Sequence, residues 1–148
     1  MAECRQWEQI TDGQFIISKP IRKLLWIQSR GVFLIAENNN KIIGTTGNTT
    51  QPWRKSHIGE FGIAIRNGYR GIGLGSYLTN EIIKLAKKEL KPKPKIIRLS
   101  VSPDNKPAIG LYRKLGFKKV AAIPKQIQYK GKLLNEIIML LDMTRTIT

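Results

Sequence analysis

The sequence predicts an α/β fold in which a mixed β-sheet is covered by helices. Three observations support this prediction. Several strand-like runs come first, the later strand-like runs alternate with amphipathic helical stretches, and 148 residues are enough to bury one hydrophobic core. The chain has no internal repeat and no low-complexity tail. We therefore expect a single domain spanning residues 1–148.

The first half of the chain is predicted to contain one helix and three strands. Ser18 to Gln28 is predicted to be helical because several apolar residues fall on one side of a helix. Val32 to Ala36 and Lys41 to Thr45 are β-rich runs on either side of Asn38-Asn39-Asn40, which is typical of a hairpin with a polar turn. Ile58 to Ile65 is predicted to form the next strand.

The second half is predicted to alternate helices and strands. Apolar residues at steps of four, four and three predict a helix from Leu74 to about Leu90. Alternating apolar residues predict a strand over Ile96 to Val101, and the turn sequence Ser-Pro-Asp-Asn then begins a second helix. Gly116 supplies the left-handed residue that ends this helix. Phe117 to Ile123 and Leu133 to Met143 are predicted to be the closing strands.

The composition favours a metal-free protein of the cytoplasm. Residues 1–10 do not resemble a secretory signal and no apolar run approaches membrane-spanning length, so we expect no membrane partner. Cys4 is the only cysteine and His57 the only histidine in the sequence. This excludes an internal disulfide and leaves too few ligands for a Cys/His zinc site. The oligomeric state, monomer or homodimer, stays open.

The chain is strongly basic. Its 26 Lys and Arg residues against 10 Asp and Glu give a net charge of +16, which attracts nucleic acid, an anionic membrane surface or a phosphorylated cofactor. Six lysines lie from Lys84 to Lys95, around two prolines where a helix would end. The helix macrodipole favours lysines in a last turn, and a solvated surface would explain others. Charge alone therefore does not identify the partner.

A glycine-rich segment, Arg70-Gly71-Ile72-Gly73-Leu74-Gly75, lies between a predicted strand and the longest predicted helix. Such a turn predicts an anion site, because the first N–H groups of a helix are unpaired and lie at the positive end of its dipole. A Walker loop would need Gly-Lys-Ser/Thr, and a dinucleotide fingerprint would need Gly-x-Gly-x-x-Gly. Neither pattern is present, so another class of phosphate ligand is expected, unless the segment is only a connection.

Two motifs in the second half point to one family. The segment Arg-Gly-Ile-Gly-Leu-Gly at 70–75 is similar to the pyrophosphate loop Arg/Gln-x-x-Gly-x-Gly/Ala. Residues 105–117 are similar to Asn-x-x-Ala-x-x-Leu-Tyr-x-x-x-Gly-Phe. Both motifs, in this order, belong to the GNAT superfamily of acetyl-CoA-dependent N-acetyltransferases, which the chain resembles from about Val32 to Met143. His57 to Ile63 is similar to a branch of small bacterial and archaeal members that includes enzymes for small amines and amino acids.

The resemblance implies a mostly antiparallel central sheet and a binding site for acetyl-CoA. The fourth and fifth strands, here Ile58 to Ile65 and Ile96 to Val101, would splay apart and admit the pantetheine arm. Ile63 and Ile65 would offer backbone hydrogen bonds to this arm, and Asn105 would hold the arm or the turn beside it. The pyrophosphate would bind to a cradle formed by Arg70, Gly71, Ile72, Gly73, Leu74, Gly75 and Ser76.

The expected reaction is direct attack of a primary amine on acetyl-CoA in a ternary complex. A lysine-like amine has a pKa near ~10.4 and must lose a proton before it attacks, and Glu60, on the strand beside the cofactor, is the candidate base. The departing thiolate needs a proton or a hydrogen bond, and Tyr112 matches the family's tyrosine that faces the thioester sulfur. Cys4 lies far in sequence from both motifs, which favours a mechanism without a covalent intermediate. A packed aromatic and a structural carboxylate are the alternative roles of Tyr112 and Glu60.

The acceptor and one alternative function stay open. The amine could belong to a small molecule or amino acid, or to the N-terminus or a lysine of a protein. About thirty residues precede Val32, where such enzymes commonly have a strand and two helices, so we expect a shortened region and a more open acceptor groove. The alternative is a basic module that binds nucleic acid or the ribosome and keeps the fold without turnover.

Overall fold

The computed structural model describes residues 3–4, 8–9, 21–28 and 30–145. The chain divides into two compact units, Met1–Pro94 and Lys95–Thr148, and each unit contains antiparallel strands and a helix. The predicted α/β class, with mostly antiparallel strands and covering helices, is confirmed. The expected single domain and the splaying of two strands stay predictions. No helix within the described ranges is both long and apolar enough to span a bilayer.

The first unit is built on antiparallel strands. The strands are β1 Glu3–Cys4, β2 Glu8–Gln9, β3 Ile21–Gln28, β4 Gly31–Asn38, β5 Lys41–Thr50 and β6 Ile58–Ile65. The two short strands β1 and β2 both pair with β3, and β3, β4, β5 and β6 then follow one another as neighbours. A short 3-10 helix, Trp53–Lys55, separates β5 from β6 in sequence, and helix α1, Leu74–Glu89, comes after β6.

The predicted helix over Ser18 to Gln28 is wrong. Residues 21–28 form β3, whose ladder with β4 runs from Ile21 opposite Asn38 to Gln28 opposite Gly31. Residues 18–20 lie outside the described residues. Residues 10–17, which belong to the region expected to be shortened, also lie outside them. Continuous pairing with a neighbouring strand outweighs the short helical periodicity, since tertiary context overrides local propensity.

The predicted hairpin between β4 and β5 is confirmed. Asn39 and Asn40 have φ values of 55° and 60°, as a type I′ turn requires of both central residues. Strand β5 continues to Thr50, five residues beyond its predicted end at Thr45. This extension gives β5 a full ladder with β6, from Gly44 opposite Ile65 to Thr50 opposite Gly59.

Helix α1 packs on β4, β5 and β6 through its predicted apolar stripe. Leu74, Leu78 and Ile82 are almost completely buried, and Ala86 continues the same face. The helix lies close to the sheet at Gly44, where a Cβ would come within 3.0 Å of Leu78 Cδ1. One face of this sheet is therefore covered by α1, and the opposite face remains for other contacts.

The second unit contains β7 Ile96–Val101, helix α2 Lys106–Lys114, β8 Lys118–Tyr129 and β9 Lys132–Asp142. Strand β9 pairs antiparallel with both β7 and β8. The predicted alternation in β7 is confirmed, because its inward residues Ile97 and Leu99 are almost completely buried. Gly116 has a φ of 98° after α2, the left-handed conformation expected at that position.

Asn48 of β5 creates a testable packing constraint in the first unit. Its side chain is completely buried, and neither its amide nitrogen nor its amide oxygen has a hydrogen-bond partner in the part of the chain that the structure describes. A Cβ at Gly59 of β6 would lie 2.2 Å from Asn48 Oδ1, well inside any allowed contact. We expect Gly59→Ala to lower the free energy of unfolding by about 1–3 kcal/mol in a denaturant titration, because overpacking forces neighbouring groups to shift.

The Asn48→Ala background tests the cause of this loss. Alanine lacks the amide atoms that would clash, so we expect Gly59→Ala to have little further effect on the free energy of unfolding there. Residues in contact show such coupling, whereas independent effects add. Additive losses in the double variant would contradict the contact as the cause.

Candidate cofactor and acceptor site

The segment between β6 and α1 has the backbone geometry of an anion cradle. Gly71 and Gly73 have φ values of 76° and 90°, which L side chains rarely adopt, so both positions favour glycine. Gly73 is also the residue that caps the N-terminus of α1. A Cβ at either glycine would meet no atom within 4 Å, so the space beside the turn is open.

The beginning of α1 has no negative group of its own. Its first turn contains no acidic residue, and no side chain caps it. Tyr77 donates the first intrahelical hydrogen bond, to the carbonyl of Gly73 at 3.0 Å. The N–H groups of residues 74–76 precede that bond and have no partner within the helix. These donors and the positive end of the helix dipole together suit a phosphate group.

Arg70 connects this turn to the end of β6. Its Nε donates to the carbonyl of Ile65 at 3.3 Å, and its side chain is otherwise exposed. A guanidinium has five N–H donors, so this contact leaves others for an anion. Arg66, at the start of the same connection, donates from Nε to the carbonyl of Ile42 at 2.8 Å. The two arginines thus attach the turn to neighbouring strands.

The ladder between β5 and β6 determines where the backbone of β6 points. Arg66 N–H donates to Ile43 O at 2.8 Å, and Gln51 N–H donates to Ile58 O at 2.9 Å, so even-numbered residues direct their polar backbone groups toward β5. Alternate residues of a strand point in opposite directions. The N–H and C=O groups of Ile63 and Ile65 are therefore directed to the other edge of β6, an orientation compatible with pantetheine.

Glu60 lies on the face of the first unit's sheet that is opposite α1. The Cβ direction of Gly44 points to α1, and its ladder partner Ile65 shares that face, so the even-numbered residues of β6 face away. The carboxylate of Glu60 is half-buried, and its Oε1 accepts a hydrogen bond from Gln51 Nε2 at 2.9 Å. This contact orients the carboxylate on the sheet face.

Tyr112 and Asn105 belong to the second unit. Tyr112 is 7% exposed on α2, and its ring centroid lies 5.8 Å from that of Phe117. Burial raises the pKa of the Tyr112 hydroxyl above its ordinary value, which keeps this group protonated at neutral pH. Asn105 caps α2, because its Oδ1 accepts a hydrogen bond from the Ala108 N–H at 3.4 Å. Its side chain thus stabilises the turn that precedes α2.

Comparison with known proteins identifies the family. Residues 1–117 match the model of the acetyltransferase (GNAT) family. The chain belongs to the GNAT acetyltransferase family. An acetyltransferase of this family from Streptococcus pneumoniae, known from its crystal structure, superimposes with a TM-score of 0.70 at 28% identity, covering 78% of this chain and 68% of that one. The predicted GNAT-like fold is therefore confirmed.

Two curated relatives resemble parts of the chain. The L-amino acid N-acetyltransferase AaaT of Escherichia coli strain K12 is 34% identical over 85 residues, which are 57% of this chain and 51% of that protein. The N-alpha-acetyltransferase of Sulfurisphaera tokodaii is 36% identical over 70 residues, 47% of this chain and 40% of that protein. The chain thus spans about half the length of the curated relatives it matches, or less.

The face of the GNAT sheet that bears Glu60 also forms a groove of about 710 Å³. The residues on this face form three rows across β4, β5 and β6, because the β4–β5 and β5–β6 ladders are in register. The rows are Gly31–Thr49–Glu60, Phe33–Gly47–Gly62 and Ile35–Thr45–Ala64. The groove is therefore a trough whose middle strand, β5, contributes the small residues Thr45, Gly47 and Thr49.

This groove was not predicted from the sequence. Its signal was the repetition of small residues at every second position, in Thr45-x-Gly47-x-Thr49 and Glu60-x-Gly62-x-Ala64. Such spacing places the small side chains on one face of a strand. Only the registers of the two ladders show that these two faces adjoin and that Phe33 lies beside them.

Proposed function

We propose that this GNAT-family protein transfers an acetyl group from acetyl-CoA to a primary amine. The observation that supports the proposal most is the glycine cradle at the start of α1, with its left-handed glycines, its open space and its lack of an acidic residue. Membership of the GNAT family supports the same activity. The alternative, a basic nucleic-acid or ribosome module without turnover, is favoured by the net charge of +16 alone.

The cofactor would be held by backbone groups more than by side chains. The backbone of Ile63 and Ile65 would bond to the pantetheine, and Asn105 would keep the turn before α2 in place. Acetyl-CoA supplies the acetyl group as a reactive thioester. The pyrophosphate would be held by Arg70, Gly71, Ile72, Gly73, Leu74, Gly75 and Ser76.

Two side chains would manage the protons of the reaction. The amine must be neutral to form the new nitrogen–carbon bond, and Glu60 would accept the proton that it loses. As the carbon–sulfur bond breaks, Tyr112 would donate a proton or a hydrogen bond to the departing sulfur. The buried hydroxyl of Tyr112, with its raised pKa, is suited to this role because it is protonated at neutral pH.

Calorimetric titration of acetyl-CoA at low and at high salt tests this proposal. We expect saturable one-to-one binding that largely survives added salt, because directed hydrogen bonds from the cradle contribute to it. Binding of heparin, a non-specific polyanion, should fall steeply with salt because it depends on counterion release. Acetyl-CoA binding that disappears with salt as heparin binding does would contradict the enzyme and favour the basic module.

A further inference from the structure

The groove opposite α1 contains an aromatic side chain that rests on glycine. A Cβ at Gly47 would lie 2.7 Å from Phe33 Cδ1, and a Cβ at Gly31 would lie 3.0 Å from Phe33 Cε2. The ring therefore extends from Gly47 of β5 to Gly31 of β4, which belongs to the row that ends in Glu60. Beside it, a Cβ at Gly62 would meet nothing within 4 Å, so the floor next to the ring is open.

The charge of this groove differs from that of the chain as a whole. Among the residues that the structure describes, its lining consists of apolar side chains, threonines, glycines and one charged residue, Glu60. In a chain of net charge +16, none of the described residues that line this groove is a lysine or arginine, so this part of the lining is unsuited to an anion. A carboxylate in a largely uncharged groove attracts an ammonium group and repels a second carboxylate.

The spacing of these groups restricts the shape of the ligand. Adjacent strands are about 4.8 Å apart, so the Phe33 ring, which lies between β4 and β5, is between one and two strand spacings from the strand of Glu60. An amine at Glu60 would reach this ring with an apolar group borne on the same carbon. A peptide N-terminus has this arrangement. A free amino acid has it too, but adds a carboxylate for which the described lining offers no cation.

The remaining volume also favours a peptide. A groove of about 710 Å³ is large for a single small amine, since pockets of a few hundred Å³ already bury a drug-sized ligand. Thr45 and Thr49 lie in the rows on either side of the central one, and their hydroxyl groups can hydrogen-bond to peptide amides. The groove thus has room and polar partners for residues beyond the first.

We propose that the groove selects the α-amine of a peptide whose first residue is apolar, and that Phe33 determines this specificity. The inference rests on the proposed acetyl transfer for its role in catalysis. It concerns binding at this face, however, and binding can be measured without turnover. The apolar first side chain would lie on the Phe33 ring while its ammonium group faces Glu60.

The test compares the tripeptide amides Leu-Ala-Ala and Ser-Ala-Ala with free leucine. We expect Leu-Ala-Ala amide to bind at least about tenfold more tightly than Ser-Ala-Ala amide in calorimetry, and free leucine to bind more weakly than either. The ratio of the two kcat/KM values should show the same preference if acetyl is transferred. This ratio does not depend on the fraction of folded enzyme, because both peptides compete for the same preparation.

Phe33→Ala should lower both the affinity ratio and the kcat/KM ratio of the two peptide amides about tenfold, and acetyl-CoA affinity should stay unchanged. Phe33→Leu, which retains an apolar side chain, should keep part of the preference. The matched control is Ile42→Ala, which removes an exposed apolar side chain of β5 outside the groove. Its preference should equal that of the unmodified protein.

The outcomes separate this inference from the proposed function. Equal binding of the two peptides, a preference unchanged in Phe33→Ala, or tighter binding of free leucine would overturn the groove assignment even if acetyl transfer is observed. Selective, Phe33-dependent peptide binding without any acetyl transfer would support the groove assignment and contradict the proposed function.

Discussion

Tyr112→Phe is expected to lower kcat about 10²- to 10⁴-fold, the usual contribution of a positioned proton donor, and to leave acetyl-CoA affinity unchanged. The substitution removes the hydroxyl and keeps the ring, so the contact with Phe117 at 5.8 Å between centroids should persist. Steady-state kinetics and calorimetric titration of acetyl-CoA measure the two quantities. The effect should therefore appear in kcat, because the donor acts only when the sulfur departs.

Two further measurements identify the hydroxyl as the cause. Tyr129→Phe removes the same group from a tyrosine that is 52% exposed on β8, and we expect its kcat to equal that of the unmodified protein. Burial raises the pKa of Tyr112, so this donor stays protonated across neutral pH and is lost only as the pH rises through that raised value, above about 10. A kcat near the unmodified value in Tyr112→Phe, with the protein folded, would assign Tyr112 a packing role only.

The parts of the site that the sequence predicted are those with a local physical cause. A left-handed φ favours glycine wherever it occurs, so the backbone of Gly71 and Gly73 could be anticipated from residue type. Asn105 before a Pro-containing first turn likewise predicts a helix cap, which the structure confirms. The functional roles of these residues are implied by the family resemblance and stay predictions.

The parts that the sequence did not predict depend on strand register. Ser18 to Gln28 has a weak helical period, and its actual strand conformation at 21–28 depends on pairing with residues 31–38. The groove depends on two ladders at once, because Phe33 and Gly62 share a face only when β4, β5 and β6 are aligned. A shift of one residue in either ladder would move a whole set of side chains to the other face.

The buried side chain of Asn48 shows a second kind of limit. Its sequence neighbours, Gly47 and Thr49, are not completely buried, whereas Asn48 is. Polar residues are usually exposed, so residue type favours the wrong environment at this position. Its burial follows from the face that α1 covers, which is a property of packing between elements.

Gly71→Ala and Gly73→Ala are each expected to weaken acetyl-CoA binding about 10- to 100-fold, equivalent to about 1.4–2.8 kcal/mol. The reason is steric: the added methyl group would occupy the open space where a pyrophosphate must approach the N–H groups of α1. Both residues also have positive φ, so alanine costs roughly 1 kcal/mol or more of backbone strain as well. Calorimetric titration gives the affinity, and a denaturant titration gives the stability.

Gly131→Ala separates the two effects. Gly131 lies in the turn between β8 and β9 with a φ of 74°, close to the 76° of Gly71, and a Cβ there would also meet nothing within 4 Å. The three substitutions therefore introduce comparable backbone strain, and they differ in whether the new methyl group faces the start of a helix. We expect Gly131→Ala to lose similar stability and to bind acetyl-CoA as the unmodified protein does. Equal affinities for all three variants would contradict pyrophosphate binding at this turn, because strain alone would then account for every effect of the added methyl group.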